Sequence, residues 1–444
     1  MVAPRRPLAV LLALLAACAH GCAGGRAQPD VVLITIDTLR ADHLGAYGHA
    51  AARTPHIDAL ARRGVRFLHA TTPAPRTTPA LASLFTGLWP HHHGARAVGV
   101  PLRHGVTLAE ILARRGWTTL GVSANKVASA KEHLDRGFAR FVNRSELPHW
   151  RAASVTQQAL ALAAEAPPSA PVLLWVHYMD PHAPYNPPRD FEPGPSADPC
   201  RRLMDERHVH RAAVQRNVDG IAARAVDACR ALYDGEIAYI DEQVGALLAG
   251  LRDQGRLANA FVVLTADHGE NFGESGIYYQ HGLSVHDASL RVPLVVVGPG
   301  IAPGVDGGVF RHEDLLPTLL GLLGVPAEER PPSDGADLSA RLLRGGAAAP
   351  ADLVAFGESA DGERTARTPR FKLVERPRPG GGVERALYDL AADPGETRDV
   401  AAAHPEVARA LGERLSAWTA GISEEIIEYD AETLERLRTL GYLE

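Results

Sequence analysis

Continuous apolar runs, rather than alternating ones, set the pattern of this chain. Residues 31–36 form a β-branched-rich run that stops at Asp37, the signature of a strand buried on both faces. A second apolar stretch falls at 65–69, and 118–122, 172–176, 261–265 and 293–297 read as further short buried strands separated by helical segments. That alternation predicts an α/β fold with a large, mostly parallel central sheet and helices on both faces. One helix is expected at 55–63. Another opens near Thr77, because Pro79 falls in a first turn and Leu81, Leu84 and Leu88 recur at helical spacing. After about residue 331 the composition shifts to Gly, Ala and Pro, followed by strand-like pieces at 370–374 and 386–390, which predicts a small antiparallel C-terminal subdomain. The tail at 430–443 carries Leu434, Leu437 and Leu440 at the spacing of an amphipathic helix.

The N-terminus departs from this pattern. Arg5 and Arg6 precede an apolar run at 8–17, too short to span a bilayer and shaped like a secretory signal. The run ends Leu15-Ala16-Ala17-Cys18, which resembles a bacterial lipobox with Cys18 as the lipidated first residue; the alternative is a plain signal peptide cleaved nearby. Either implies an exported, periplasmic protein, and the lipobox implies membrane contact only through Cys18. The whole chain has 444 residues, 46% apolar and 22% charged, enough for one large α/β domain and an appended smaller one. Without residues 1–17 it carries 44 basic against 52 acidic residues, a formal charge of −8, which argues against a nucleic-acid partner. Beyond the signal region only Cys200 and Cys229 remain; in an exported chain they form one disulfide or stay as two buried thiols.

Two predicted strands deliver acids to their carboxyl ends. Asp37 ends the first and would serve as a hard oxygen ligand, a helix cap or a partner of Arg40. Asp267-His268-Gly269-Glu270 follows another, and one carboxylate beside one imidazole suits zinc or manganese better than calcium. Thr77 falls at or just before a helix N-terminus, where free N–H groups favour an anion.

Taken in order, strand-end Asp37, then Thr77-Thr78-Pro79-Ala80-Leu81, then Asp267-His268 resemble the sulfatase family of the alkaline phosphatase superfamily. The likeness extends through Pro90-His91-His92-His93-Gly94, through the run from His177 to Tyr185, and through His281-Gly282, Arg291-Val292-Pro293 and Leu387-Tyr388-Asp389-Leu390. It implies an alkaline-phosphatase-like sandwich, with a sulfatase-like catalytic domain at 30–330 after a signal at 1–17 and a linker at 18–29, and a C-terminal subdomain with tail helix at 331–444. Three positions depart from the family pattern. Thr77 stands where the formylglycine Cys or Ser would be, Thr38 where a second aspartate is common, and Leu81 where an arginine closes the motif. Threonine cannot become formylglycine. Asp37, Thr77, Asp267 and His268 resemble instead the set by which phosphoethanolamine and phosphoglycerol transferases hold one zinc or manganese.

The expectation is one divalent ion, zinc or manganese favoured and calcium possible, held by Asp37, Thr77, Asp267 and His268, with Thr77 as nucleophile. His182 and His281 are expected to bind ester oxygens and protonate the leaving group, as imidazoles that titrate near pH 7. Arg76 is a candidate to replace the charge missing at Leu81, and Asn125 a weaker candidate for substrate contact. His177, His91, His92, His93, His312 and Asp241 read as scaffold. The leading function is hydrolysis of sulfate, phosphate or phosphonate esters of a small molecule, lipid or glycan. The alternatives are a phospho-alcohol transferase and an inactive anion- or glycan-binding protein.

Overall fold

The computed structural model describes residues 28–143, 151–215, 217, 220–345, 353–422, 429 and 431–439. The signal run and Cys18, and the end of the tail from residue 440, lie outside the described residues. Eight strands form the central sheet: β1 (Asp30–Ile36), β2 (Val65–Thr71), β3 (Thr118–Ser123), β4 (Arg140–Asn143), β5 (Val172–Tyr178), β6 (Ala260–Ala266), β9 (Arg291–Val297) and β10 (Gly304–Arg311). A two-stranded hairpin, β7 (Asn271–Phe272) with β8 (Tyr278–Gln280), stands apart from it. Across the sheet the order is β10-β2-β9-β6-β1-β5-β3-β4. Every residue of β5 and β6 is buried, which is why these strands read as unbroken apolar runs. Helices Pro55–Ala61, Ala152–Glu165 and Val226–Asp253 pack on one another, as do Thr77–Thr86, Leu108–Arg114 and Leu315–Leu322, giving two helical layers around the sheet.

The sheet is mixed rather than uniformly parallel. Strand β9 runs antiparallel to both of its neighbours, β6 and β2, while the other pairs are parallel. Between β6 and β9 the chain makes only the hairpin and the short helix Asp287–Leu290, so it re-enters the sheet from the end at which it left. An apolar run carries no record of strand direction.

The second sheet is antiparallel, in the order β11 (Ala355–Glu358), β12 (Arg364–Arg367), β13 (Phe371–Pro377), β14 (Val383–Asp389). Leu411, Leu415 and Trp418 of helix Pro405–Thr419 cover Val354, Ala366, Leu373 and Leu387 on one face of it. The tail helix spans Ala431–Thr439 and buries Leu437 against Val98 and Val127 of the main body. Cys200 and Cys229 are joined by a disulfide that ties helix Asp198–Gln215 to helix Val226–Asp253. Among the described residues no helix is long and apolar enough to cross a membrane.

Candidate active site

Three adjacent strands deliver the site. β1 lies between β6 and β5, and the carboxyl ends of these strands carry Asp37, Asp267 and His177, the place where open α/β sheets hold ligands. The Asp37 N–H still pairs with the Tyr178 carbonyl at 2.9 Å, so its carboxylate is aimed by the sheet itself. Thr77 opens helix Thr77–Thr86 from the far layer. The Thr78 hydroxyl fixes that first turn by donating to the Val127 carbonyl at 2.9 Å and accepting from the Gly99 N–H at 3.1 Å.

These elements converge on one buried point. Asp37, Thr77, Asp267 and His268 are each fully buried, and ligand atoms of Asp37, Asp267 and His268 lie within 4.8 Å of one another. His268 Nε2 stands 3.4 Å from Thr77 Oγ1, 3.5 Å from Asp267 Oδ2 and 3.8 Å from Asp37 Oδ1. His268 Nδ1 donates to the Gly269 carbonyl at 3.0 Å, which turns Nε2 toward the acids. Asp267 Oδ1 accepts from the N–H groups of His268 (2.8 Å) and Thr38 (3.2 Å). Thr38 holds a left-handed backbone (φ 56°), strain kept beside the site by Tyr233, whose hydroxyl donates to the Thr38 carbonyl and accepts from the Arg40 N–H.

The donor set fits a divalent cation. Asp37 Oδ1 and Asp267 Oδ2 are buried without a hydrogen-bond partner, two carboxylates turned toward one imidazole. Burial works to raise the Asp37 carboxyl, but His177, His182 and His268 around it outweigh this and hold it below the usual carboxylate range. Asp267 is pushed up by burial and then by the Asp37 charge. Burial works to lower His268, and the Asp267 and Asp37 carboxylates overcome it and raise the imidazole. Like charges facing one another at this depth call for positive charge between them.

His182 and His281 are brought to the same point. The His281 ring lies 4.4 Å from His268 and 5.0 Å from His182. Their titration differs from the near-neutral expectation: burial pushes His182 down to about 4, and burial followed by His268 lowers His281. Both rings are neutral in the free site at pH 7, and the negative charge of a bound ester would raise them. Arg76 stands at the N-cap of helix Thr77–Thr86, and its stem crosses Gly282, where a Cβ would come within 3.2 Å of Arg76 Cγ and φ is +93°. It therefore sits beside His281. Leu81 belongs to the apolar core, so no charge occupies that position.

Two residues stand closer to the chemistry than the sequence indicated. Asn125 Nδ2 donates to Asp37 Oδ2 and lies 3.4 Å from Thr77 Oγ1, bridging the acid and the hydroxyl. His177, read as scaffold, has Nε2 3.5 Å from Asp37 Oδ2. The Trp175 indole donates to Thr35 Oγ1 at 2.9 Å, and the Thr35 hydroxyl is hydrogen-bonded to His177 Nδ1 at 2.8 Å, which fixes the ring with Nε2 toward Asp37. The register Thr35↔His177 across β1 and β5 puts the ring there, and no local pattern reveals it. His93 is bonded to Ser83, and Asp241 accepts from His56 N and Ile57 N, which ties both into neighbouring elements.

Behind the site, the buried Asp180 carboxyl is pushed up to about 7 by burial, with Arg151 Nη1 3.7 Å away and the Glu236 carboxyl raised well above its ordinary range by burial. An unfolded aspartate releases its proton near pH ~4 while the folded one holds it to about 7, so Asp180 removes stability as pH rises through that interval. The Tm of the Asp180→Asn variant minus that of the wild type should therefore increase from pH 5 to pH 8. A pH-independent difference in thermal melts would show that Asp180 keeps an ordinary carboxyl.

The mixed sheet thus gathers two carboxylates, an imidazole and a helix-terminal hydroxyl at its carboxyl edge. The sulfatase family model matches residues 29–325. The arylsulfatase A of Homo sapiens is 30% identical over an alignment that covers 90% of this chain and 89% of that protein. The phosphonate monoester hydrolase of Agrobacterium radiobacter superposes with a TM-score of 0.70 at 23% identity, covering 89% of this chain and 96% of that one. A protein solved with its substrate D-glucosamine-2-N,6-O-disulfate gives a TM-score of 0.73 at 19% identity, covering 89% and 98%. The chain belongs to the sulfatase family, a class of sulfuric ester hydrolases.

Proposed function

We propose that this protein hydrolyses sulfate, phosphate or phosphonate esters of a small molecule, lipid or glycan with Thr77 as nucleophile and one divalent ion as cofactor. The observation that carries the proposal is the Thr77 hydroxyl at a helix N-terminus, 3.4 Å from His268 Nε2 in the Asp37, Asp267 and His268 cluster. A zinc or manganese ion held by Asp37, Asp267 and His268 would neutralise the two carboxylates and lower the pKa of the adjacent hydroxyl. Asn125 orients Thr77 against Asp37, and the first-turn N–H groups with Arg76 at their edge receive the anionic ester.

The steps balance without an external redox partner. Thr77 Oγ1 forms a bond to sulfur or phosphorus and releases its hydroxyl proton to solvent as the bond to the ester oxygen breaks, and the departing alcoholate takes a proton from His281 or His182, which picks that proton up from solvent once the bound anion has raised it. Water then attacks the sulfo- or phospho-threonine, giving one proton to the imidazole that was deprotonated in the first step and the other to the Thr77 oxygen, which restores the hydroxyl and releases the inorganic anion. Both imidazoles, neutral before substrate enters, can accept a proton from that water. The run at 8–17 before Cys18 supports export and a lipid anchor as part of the same proposal, and intact mass of the mature protein tests it.

The test is a panel of aryl sulfate, phosphate monoester, phosphate diester and phosphonate substrates, assayed after chelator stripping and re-addition of Zn²⁺, Mn²⁺ or Ca²⁺. Turnover of at least one ester is expected, lost on stripping and restored better by Zn²⁺ or Mn²⁺ than by Ca²⁺. Product appearing only when a glycan or lipid hydroxyl replaces water would make the protein a transferase. No turnover with any ion would leave an anion-binding protein.

A further inference from the structure

A second, part-buried cluster of metal-ligating side chains lies beside the loop that follows Asp37. His43 ends the single turn Ala41–His43, His49 follows the turn Gly45–Tyr47, and Asp234 stands on helix Val226–Asp253 opposite both. His43 Nδ1 is 2.6 Å from Asp234 Oδ1, and His49 Nε2 is 3.5 Å from Asp234 Oδ2. The two imidazole rings are 5.4 Å apart, and ligand atoms of all three residues lie within 4.8 Å of one another. His49 Nε2 is buried with no hydrogen bond, although the ring as a whole is part exposed. Among the described residues the Asp234 carboxylate has ion pairs only with these two histidines, so no lysine or arginine neutralises it.

We propose that His43, His49 and Asp234 bind one first-row transition ion of the zinc type, at a site separate from the Asp37, Asp267 and His268 cluster. Two imidazoles and one carboxylate are a borderline donor set that favours zinc, cobalt, nickel or copper over magnesium and calcium. A tetrahedral zinc with bonds of about 2.0 Å places its ligand atoms roughly 3.3 Å apart, so the cluster closes with small movements. His49 and Asp234, with side chains 29% and 32% exposed, have room to make them and leave the fourth position to water. His43, 8% exposed and packed edge-on against Tyr233 at 5.0 Å, is the fixed member. Tyr233 adjoins Asp234 and holds the backbone of Thr38 and Arg40, so an ion here clamps the loop that carries Asp37 to the long helix.

Tag-free protein is stripped with chelator, dialysed against Zn²⁺ alone and analysed for bound metal, with His49→Ala and Asp234→Asn as the informative variants because both side chains are part exposed. Circular dichroism melts establish that each is folded. Each variant is expected to bind one equivalent fewer than the wild type and to show a smaller zinc-dependent rise in Tm. If the wild type binds two ions and the variants one, both sites stand. If the wild type binds one and the variants none, the second site stands and the active-site metal falls. Equal zinc content in folded wild type and variants, or none in any, overturns the proposal.

Discussion

The Thr77→Ala variant should lose about 10³-fold or more in kcat/KM on every ester the wild type cleaves, about 4 kcal/mol of transition-state stabilisation. The loss is confined to chemistry because Thr77 Oγ1 has only long contacts, 3.4 Å to His268 Nε2 and 3.4 Å to Asn125 Nδ2, and the side chain is not a strut of the fold. Its Tm and metal content should therefore stay close to the wild-type values. The Thr77→Ser variant keeps a hydroxyl at the same helix terminus and should retain a large share of turnover. Rapid quench with a slow substrate should trap covalent label on the wild type and none on Thr77→Ala. Wild-type turnover by Thr77→Ala would remove Thr77 from the reaction and leave water, aimed by His182 and His281, as the attacking group.

The parts of this site that were legible in the sequence share one property. Asp37 and Asp267-His268 directly follow apolar runs, and in a sheet whose central strands are parallel the ends of such runs come together at one edge. Pro79 and the leucine spacing placed Thr77 at a helix start, and the resemblance of Thr77-Thr78-Pro79-Ala80-Leu81 to the sulfatase motif made it a candidate for the site. Asn125 and His177 were under-read for the opposite reason. His177 lies inside a fully buried strand and reads as core, and only the lateral register of β5 on β1 sets it against Asp37. Asn125 lies in a loop whose Nδ2 reaches across 88 residues of sequence to Asp37, a contact that no local spacing announces. Strand β9 was located from its apolar run, but its direction was not legible, because burial on both faces gives the same run whichever way the strand points. The lowered His182 and His281 depend on how deeply the folded chain buries them, which composition does not record.

The same dependence on depth governs the junction between the two sheets, where a lysine is completely buried. Lys372 on β13 extends its Nζ to Asp287 Oδ1 at 2.9 Å and Glu396 Oε1 at 2.8 Å, while Arg367 of β12 takes the other Asp287 oxygen at 2.9 Å. Asp287 opens the short helix that leads into β9, so these ions pin the small sheet to the main body. In the Lys372→Met variant the apolar stem is replaced but Glu396 is left buried without its cation, and unfolding free energy should fall by about 3–5 kcal/mol. Burial already raises the Glu396 carboxyl, and loss of Lys372 raises it further. A group whose folded pKa lies above its unfolded value binds its proton preferentially in the folded chain, so the deficit should shrink as pH falls from 8 to 5. Urea unfolding at both pH values measures it. A loss below about 1 kcal/mol, the range of an exposed pair, would mean that water reaches the cluster in solution. Adding Glu396→Gln to Lys372→Met should recover much of the loss at pH 8, because the double variant leaves no unpaired charge in the junction.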